Sequence, residues 1–484
     1  MFDLYKMQAA LACYDNNFDT GGTGVDSFVP ELWAHEGLAI LEENMVAASL
    51  VHRDFSMEVA NFGDVVNTRR PGVFKSKRKE DADSIVLQDA TALNVQVALN
   101  QHFYVSFTIK DGEASKSFQD LIQIYLLPGM QGIARGIDRA ILGHVHKFLA
   151  NKAGKLQALT STNAKDTILD AREQLNRNLA YPQGRNMILA PGAETAMLQT
   201  ELFIAAYQRG DGGAALREAS LGRVLGFDTY MDQNMPANTK ATSDYVDGTA
   251  NGAESAGTTG NMAVTITGYN VAVGEFAVFD DEGQPTTVIA RTLNGGDTTG
   301  VSLGNTDGTA SPLKYAVTNA STVTVYKQCA VVGDYAALYS KGITLGSWNE
   351  APKVGQLIAF GAPGANRRLY TIIEGYVDPT NAAQWIVWLD RPFEVALTNA
   401  QKAFPGPAGT FNLAMHKDAL ALVSRPLALP NTAMGVRSQV ANYNDIAMRV
   451  TMQYQIAAQG TVVTLDLLAG IALLDARLGC VLLG

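Results

Sequence analysis

At about residue 240 the composition changes abruptly, and that change sets the broadest feature of the fold. Residues 241–330 are rich in Thr, Gly, Ser and Asn; their only Lys or Arg residues are Arg291, Lys314 and Lys327, against nine acids. Short runs such as Ala263 to Thr267, Gly274 to Phe279 and Thr322 to Tyr326 alternate with turn signals. That spacing predicts a small antiparallel sandwich or barrel. A second β-rich patch covers about 340–400. An all-β portion, 240–405, is therefore expected inside a chain of different character. It is longer than one small barrel needs, which leaves one β domain or two β units open.

The helical signals precede residue 240. Pro30 suits a first helical turn, and Trp33, Leu38, Leu41, Met45 and Leu50 follow at helical spacings. The strongest periodicity runs from about Pro128 to Ala150. There Met130, Ile133, Ile137, Ile141, Val145 and Phe148 fall on one face. Gly132 and Gly136 leave room for a neighbouring element on that helix. A shorter amphipathic helix is predicted from Ala164, a short strand from Arg185 to Pro191, and a further helix over Ala193 to Tyr207.

Between the first two helices the chain is extended. Strand-like residues 58–66 and 94–110 flank a charged stretch. That stretch carries Arg69, Arg70, Lys75, Lys77, Arg78 and Lys79, then Glu80, Asp81 and Asp83. The reading is a long hairpin whose tip is too polar for a core. Its basic and acidic halves suit a self-complementary interaction loop better than a nucleic-acid site, since Phe74 is the one aromatic beside them.

Charge and chemistry narrow the function. Charged residues are 17% of the 484, against about 25% in typical soluble domains, while 47% are hydrophobic and 45 are Gly. Such a chain exposes more apolar surface than its charges cover, and self-association is the simplest remedy. No run of 18 apolar residues lacks a charge, so no membrane partner is expected. The start, MFDLYKMQAALACYDNN, lacks the basic segment of a secretory leader. A net charge of −10 argues against tight nucleic-acid binding. Cys13, Cys329 and Cys480 are far apart and odd in number, which predicts buried free thiols.

Catalytic patterns fail one by one. His35-Glu36 opens like a zinc-protease helix, but position 39 is Ala, so the second ligand is missing. His144 and His146 point in directions about 200° apart on a helix and cannot share a metal from one face. Asp280-Asp281-Glu282-Gly283 lacks the alternating ligands of a calcium loop and reads as a solvated turn. No phosphate-binding glycine loop or nucleophile elbow occurs. The sequence supports no catalytic, metal or cofactor-binding residue and no cofactor.

The order of elements resembles the major capsid (coat) proteins of tailed bacteriophages, in the subgroup with an inserted β domain. VPELWAHEGLAILEENMVAASLVHRDF at 29–55 looks like that family's N-terminal arm and helix. FGDVVNTRRPG at 62–72 resembles its extended loop, and the 129–150 helix its spine helix. AREQLN, ILAPGAE and GRVLGFDTYMDQNM, within 164–235, look like its peripheral domain. NLAMHKDALALVSRPLALP at 412–430 and YNDIAMRVTMQYQIAAQGTVVTLDLLAGIALL at 443–474 are similar to its axial closing segments.

The resemblance implies an α+β shell fold in five parts. These are an N-terminal arm and helix (1–55), an extended β-hairpin loop (56–113), a spine helix and peripheral domain (114–239), an inserted β domain (240–405), and axial closing strands (406–484). It implies a non-enzymatic virion protein, assembled in the bacterial cytoplasm as pentamers and hexamers around double-stranded DNA that it does not read. Its implied partners are a scaffolding protein, a portal and a decoration protein. Two rivals stand beside it: the shell of a cellular nanocompartment, and a β-rich hydrolase or carbohydrate binder suggested by Trp385 and Trp388.

Overall fold

In the computed structural model, residues 45–53, 65–70, 76–81, 93–110, 125–156, 159–204, 221–238, 244–364, 367–430, 436–443 and 446–484 are described, with isolated positions at 37–38, 41, 84–85, 87 and 219. The described chain is β-rich, with 26 strands and four α-helices.

The helix α1 (Leu127–Leu142) has Pro128 in its first turn, where a missing N–H costs nothing. Met130, Ile133, Ile137 and Ile141 form its buried stripe, and Val145 and Phe148 extend it through a 3-10 segment, Gly143–Phe148. Burying each such side chain contributes about 1.5–3 kcal/mol. Close approach to α1 depends on its glycines. A Cβ at Gly129 would sit 3.3 Å from Leu465, and one at Gly136 3.3 Å from Phe103. The strand against these glycines is Gln101–Lys110, which turns Phe103, Val105 and Phe107 toward the core and leaves Tyr104 exposed.

This strand corrects the expected hairpin. Residues 94–110 are not one returning arm. Leu93–Ala98 pairs with Val65–Arg70 in a two-stranded ribbon. Gln101–Lys110 instead pairs with Gly460–Leu473 near the chain's end, from Gln101↔Ala469 to Lys110↔Gly460. It so joins a five-stranded sheet with Leu420–Arg425, Val436–Tyr443 and Ile446–Gln455. The physical reason is the inward Phe103–Ile109 row, which α1 can bury and an isolated ribbon cannot.

A seven-stranded mixed sheet separates two cores. In Gly479–Leu483, Val481 and Leu483 face the α1 core, while Cys480 and Leu482 face the other. Arg185–Leu189 alternates likewise, with Ile188 on one side and Met187 and Leu189 on the other. A strand covered on both faces reads as a continuous apolar run, as VLL and MIL do here. The second core is closed by α2 (Ala164–Arg177) and α3 (Pro191–Leu198). The helix expected over 193–207 is instead two: α3 ends at Leu198, and a short α4 (Glu201–Ile204) follows.

The residues after 244 form two closed barrels of six strands each, spanning Tyr245–Tyr326 and Cys329–Pro405. Each has its own core, with Val264, Phe279 and Val325 among the buried side chains of the first and Ile343, Tyr370 and Phe393 among those of the second. Outward residues are buried too. Phe276 and Val278 of the first barrel, and Leu357, Ala359 and Phe404 of the second, join the α1 core. Arg367 lies between the barrels, its guanidinium 4.9 Å from the Phe276 ring and 5.1 Å from the Phe404 ring. It donates to the Gly274 carbonyl at 2.7 Å. Cys329 and Cys480 are free and buried.

Candidate functional site

Among the described residues, the base of the hairpin packs on the five-stranded sheet. Val66 and Val97 pack on Ala421 and Val423, whose neighbours Leu420 and Leu422 face the α1 core. Strand alternation thus lets one strand serve two contacts. At Gly470 a Cβ would lie 2.5 Å from the Ala98 carbonyl, so only glycine admits the ribbon there. Arg69 and Arg70 pair with Asn94 and Leu93, the last rungs of the ladder. Beyond them Lys77, Arg78, Lys79, Glu80 and Asp81 are all exposed, as are Ile85 and Leu87 at 78% and 90%. Lys75 and Asp83 lie outside the described residues, as do His35 and Glu36. The described part of the tip is thus charged and carries two exposed aliphatic side chains.

The six stripe residues of α1 and the 3-10 segment after it are all buried within the subunit. On the same helix sits a group with no sequence expectation attached, Asp138. It is 1% exposed, and its carboxylate accepts from the Val46 N–H at 3.0 Å and the Ala48 N–H at 3.2 Å. It thereby caps the 3-10 turn Ala47–Ser49 that follows the N-terminal region. An acid four residues after Ala134 and three before Ile141 falls on the apolar face, and that was the available signal. Burial, with Asp232 adding to it, pushes the Asp138 carboxyl up to about 7.

This shift predicts a pH dependence. The folded chain holds the Asp138 proton more tightly than the unfolded chain, whose carboxyl titrates near 3.8. Stability from this group is therefore full below the unfolded value. It falls by about 1.4 kcal/mol per unit as pH rises toward 7. Denaturant midpoints measured from pH 4 to 8 should show that decline, and Asp138→Asn should flatten it.

The barrels dock through polar contacts that the sequence did not announce. The Asp280–Gly283 turn is solvated at Asp280, as expected, but not at Glu282. Glu282 is 2% exposed and accepts from the Lys314 N–H at 2.7 Å and the Tyr315 N–H at 2.5 Å. Gln284 donates to the Gly154 carbonyl at 2.5 Å, and Leu156 N–H donates to the Gly283 carbonyl at 2.8 Å. The turn is a plug against residues 152–156, which is why its acid is buried. Lys314 completes the joint by reaching Asp170 of α2 at 3.0 Å.

The second barrel docks on the far end of α1. Asp390 is buried and pairs with Arg391 at 2.6 Å, and Glu394 reaches Lys147 at 3.4 Å. Thr371 donates its hydroxyl to the Gly143 carbonyl at 3.1 Å. His144 and His146 are both buried beside this joint. Burial holds His146 down to about 3 and His144 well below its ordinary value, so both are neutral. Trp385 donates to the Trp348 carbonyl at 3.0 Å, and Trp385 and Trp388 are half-buried. Among the described residues no group of three or more His, Cys, Asp or Glu could hold a metal, and no helix is long and apolar enough to cross a membrane.

No family model and no curated protein matches this chain. Solved phage structures are similar to it. A structure from Mycobacterium phage Che8 is 12% identical, with 90% of this chain and 90% of that chain covered and a TM-score of 0.40. The capsid structure of the cyanophage P-SCSP1u is 11% identical, with 91% and 88% covered and a TM-score of 0.42. The mature capsid of bacteriophage PhiM1 is 12% identical, with 87% and 82% covered and a TM-score of 0.37.

Proposed function

We propose that the chain is a shell subunit, the major capsid protein of a tailed phage, whose work is mechanical rather than catalytic. The observation that carries the reading is the hairpin. Its base is fixed on the five-stranded sheet by Val66 and Val97, and its described tip is fully exposed with five charges and two aliphatic side chains. A monomer gains nothing from such a limb. In a shell it lies on the next subunit, where Lys77, Arg78 and Lys79 against Glu80 and Asp81 set register more than affinity. The charge-poor composition and the capsid-like segments at 29–55, 412–430 and 443–474 support the same reading.

On this proposal the subunits form pentamers and hexamers enclosing double-stranded DNA, in a virion assembled in the host cytoplasm. A scaffolding protein, a portal and a decoration protein act as partners. DNA is enclosed without base readout, in keeping with the net charge of −10. The paired barrels are carried as an accessory body on the shell fold. Co-expression with the neighbouring genes, followed by size-exclusion chromatography and negative-stain microscopy, tests the proposal. Closed shells are expected; a persistent monomer overturns it.

A further inference from the structure

The two barrels are wired alike. Numbered along the chain within each barrel, the strands of both follow one closed order, first-second-fifth-fourth-third-sixth. Both bulge at the same rung of the fourth strand, after Val288 opposite Leu303 in the first barrel and after Ile372 opposite Leu389 in the second. The third strands are entered through Val273-Gly274-Glu275 and Val354-Gly355-Gln356. Both glycines take positive φ, 107° and 85°. Each donates its N–H to the carbonyl just before the bulge, Val288 at 2.9 Å and Ile372 at 2.7 Å. The acid or amide that follows folds back on its own turn. Glu275 accepts from the Ala272 N–H at 2.9 Å, and Gln356 accepts from the Lys353 N–H at 3.2 Å.

The turn into the sixth strand repeats in sequence as well. Ser311–Ala320 and Arg391–Ala400 share Pro, Ala, Thr, Asn and Ala at the same five of ten places. Ala320 and Ala400 both sit at positive φ, 66° and 64°, which is uncommon for a residue with a Cβ. Asn319 accepts from the Gly252 N–H at 2.8 Å, and Asn399 accepts from the Gly333 N–H at 3.0 Å. The two glycines are 81 positions apart and the two asparagines 80. Closing a small barrel requires strand tilt, stagger and alternating inward side chains. It requires no asparagine pin, no left-handed alanine and no bulge on a given rung, so closure alone does not account for their recurrence.

We propose that Tyr245–Pro405 is a tandem duplication of one barrel-forming unit of 80 to 81 residues, and that the outward side of the unit's third strand is its docking face. Ala277 and Phe279 point into the first barrel, and Ile358 and Phe360, at the same places, point into the second. Strand alternation turns their neighbours outward in both copies. Those neighbours, Phe276 and Val278 in one and Leu357 and Ala359 in the other, are buried in the α1 core. One face has been used twice, and the α1 core carries two seats for it. What differs between the copies is the neighbour beside the seat. A Cβ at Gly274 would meet the Phe404 ring of the second barrel at 2.7 Å, whereas one at Gly355 would meet the Ala237 nitrogen of the entry strand at 2.8 Å. The inference stands whatever the subunit assembles into.

Two deletions in the full chain, each one repeat long, test this. Removing residues 319–398 joins Thr318 to Asn399, so Lys402–Pro405, the sixth strand of the second barrel, must close the first. Ala403 then stands where Val323 stood, opposite Phe279. Removing residues 250–330 joins Thr249 to Val331, so the first strand of the first barrel must close the second. Hydrogen exchange is read on the two strands that flank each graft. These are Tyr245–Ala250 and Phe276–Phe279 in one variant, and Ile343–Gly346 and Lys402–Pro405 in the other. Their protection should stay within about a hundredfold of the unaltered chain, the scale of a few core substitutions. A loss of about a thousandfold or more on the flanking strands of both variants, with Ile446–Gln455 of the five-stranded sheet still protected, overturns the proposal. If an emptied seat unfolds the body in both deletions, replacing residues 322–326 by the sequence of 402–406 keeps both seats filled. Protection of Tyr245–Ala250 and Phe276–Phe279 in that chain then decides by the same limits.

Discussion

Deleting residues 71–82 should leave a subunit that folds and no longer assembles. The deletion begins just beyond Arg70↔Leu93, the last rung of the ribbon, and spares the anchoring pair Val66 and Val97. What it removes within the described residues, Ser76–Asp81, is exposed. Surface changes of that kind shift stability by no more than about 0.5 kcal/mol. Shortening the loop by about half favours folding by roughly 0.6 kcal/mol. The thermal midpoint should therefore stay within a few degrees, and circular dichroism should be unchanged. Assembly, by contrast, should fall below detection, because each copy loses both the charges and the reach with which it meets the next. Shells of normal yield from this variant would remove the proposed role of the loop. A collapse of the monomer's melting transition would mean that the tip belongs to the subunit's own fold.

Arg391→Leu should be the most damaging single change at the joint between the second barrel and α1. The side chain is 6% exposed and the Asp390 carboxylate 0%. Arg391 also donates to the Leu369 carbonyl and lies 4.4 Å from the Tyr370 ring. Removing the cation leaves Asp390 buried without its partner, which costs about 3–5 kcal/mol. Replacing both, as Asp390→Asn with Arg391→Leu, should cost less than the single change, since no bare charge remains. Arg391→Lys should not restore stability, because an ammonium cannot reproduce the planar fork that reaches a carboxylate and a carbonyl together. Denaturant midpoints of the unaltered chain, Arg391→Leu, Asp390→Asn and the double variant form a double-mutant cycle. A loss under about 1 kcal/mol for Arg391→Leu would show that the pair is bystander polarity.

Periodicity was legible wherever one face of an element is buried. Met130 through Phe148 announced a helix, and Ala263 to Thr267 a half-buried strand, because those patterns are local consequences of a core on one side. Partners were not legible. The alternation of Gln101–Lys110 says that Phe103, Val105 and Phe107 face inward, yet nothing in it names Thr461–Ala469, some 360 positions later, as the pairing strand. The switch from α to 3-10 winding at Gly143 was hidden for a related reason. The apolar spacing continues through Val145 and Phe148, and nothing in that spacing marks the change.

Buried polar residues misled in a consistent direction. Asp280-Asp281-Glu282 looked solvated because acids usually are, but Glu282 is held by two backbone N–H groups supplied by Lys314 and Tyr315. Asp390 and Arg391 gave no signal at all, since adjacent opposite charges are common on surfaces. Composition did locate the all-β portion. What it could not reveal is that the ladder closes twice, because closure depends on pairing between first and last strands such as Tyr245↔Tyr326.

The chain leaves for the barrels and returns from them through neighbouring strands. Ala237–Asn238 pairs with Gly409–Thr410, and Asn238 faces Gly409 directly. Ladder partners stand about 5 Å apart, a gap that a tight turn spans. Topologically, then, the whole double barrel is a hairpin loop of unusual mass. Such a loop can be gained, lost or exchanged in one genetic event without rethreading a strand. What limits the exchange is the apolar footprint that Phe276, Val278, Leu357 and Phe404 leave on the α1 core. Any replacement cargo grafted at Asn238 and Gly409 must bring its own lid for that footprint.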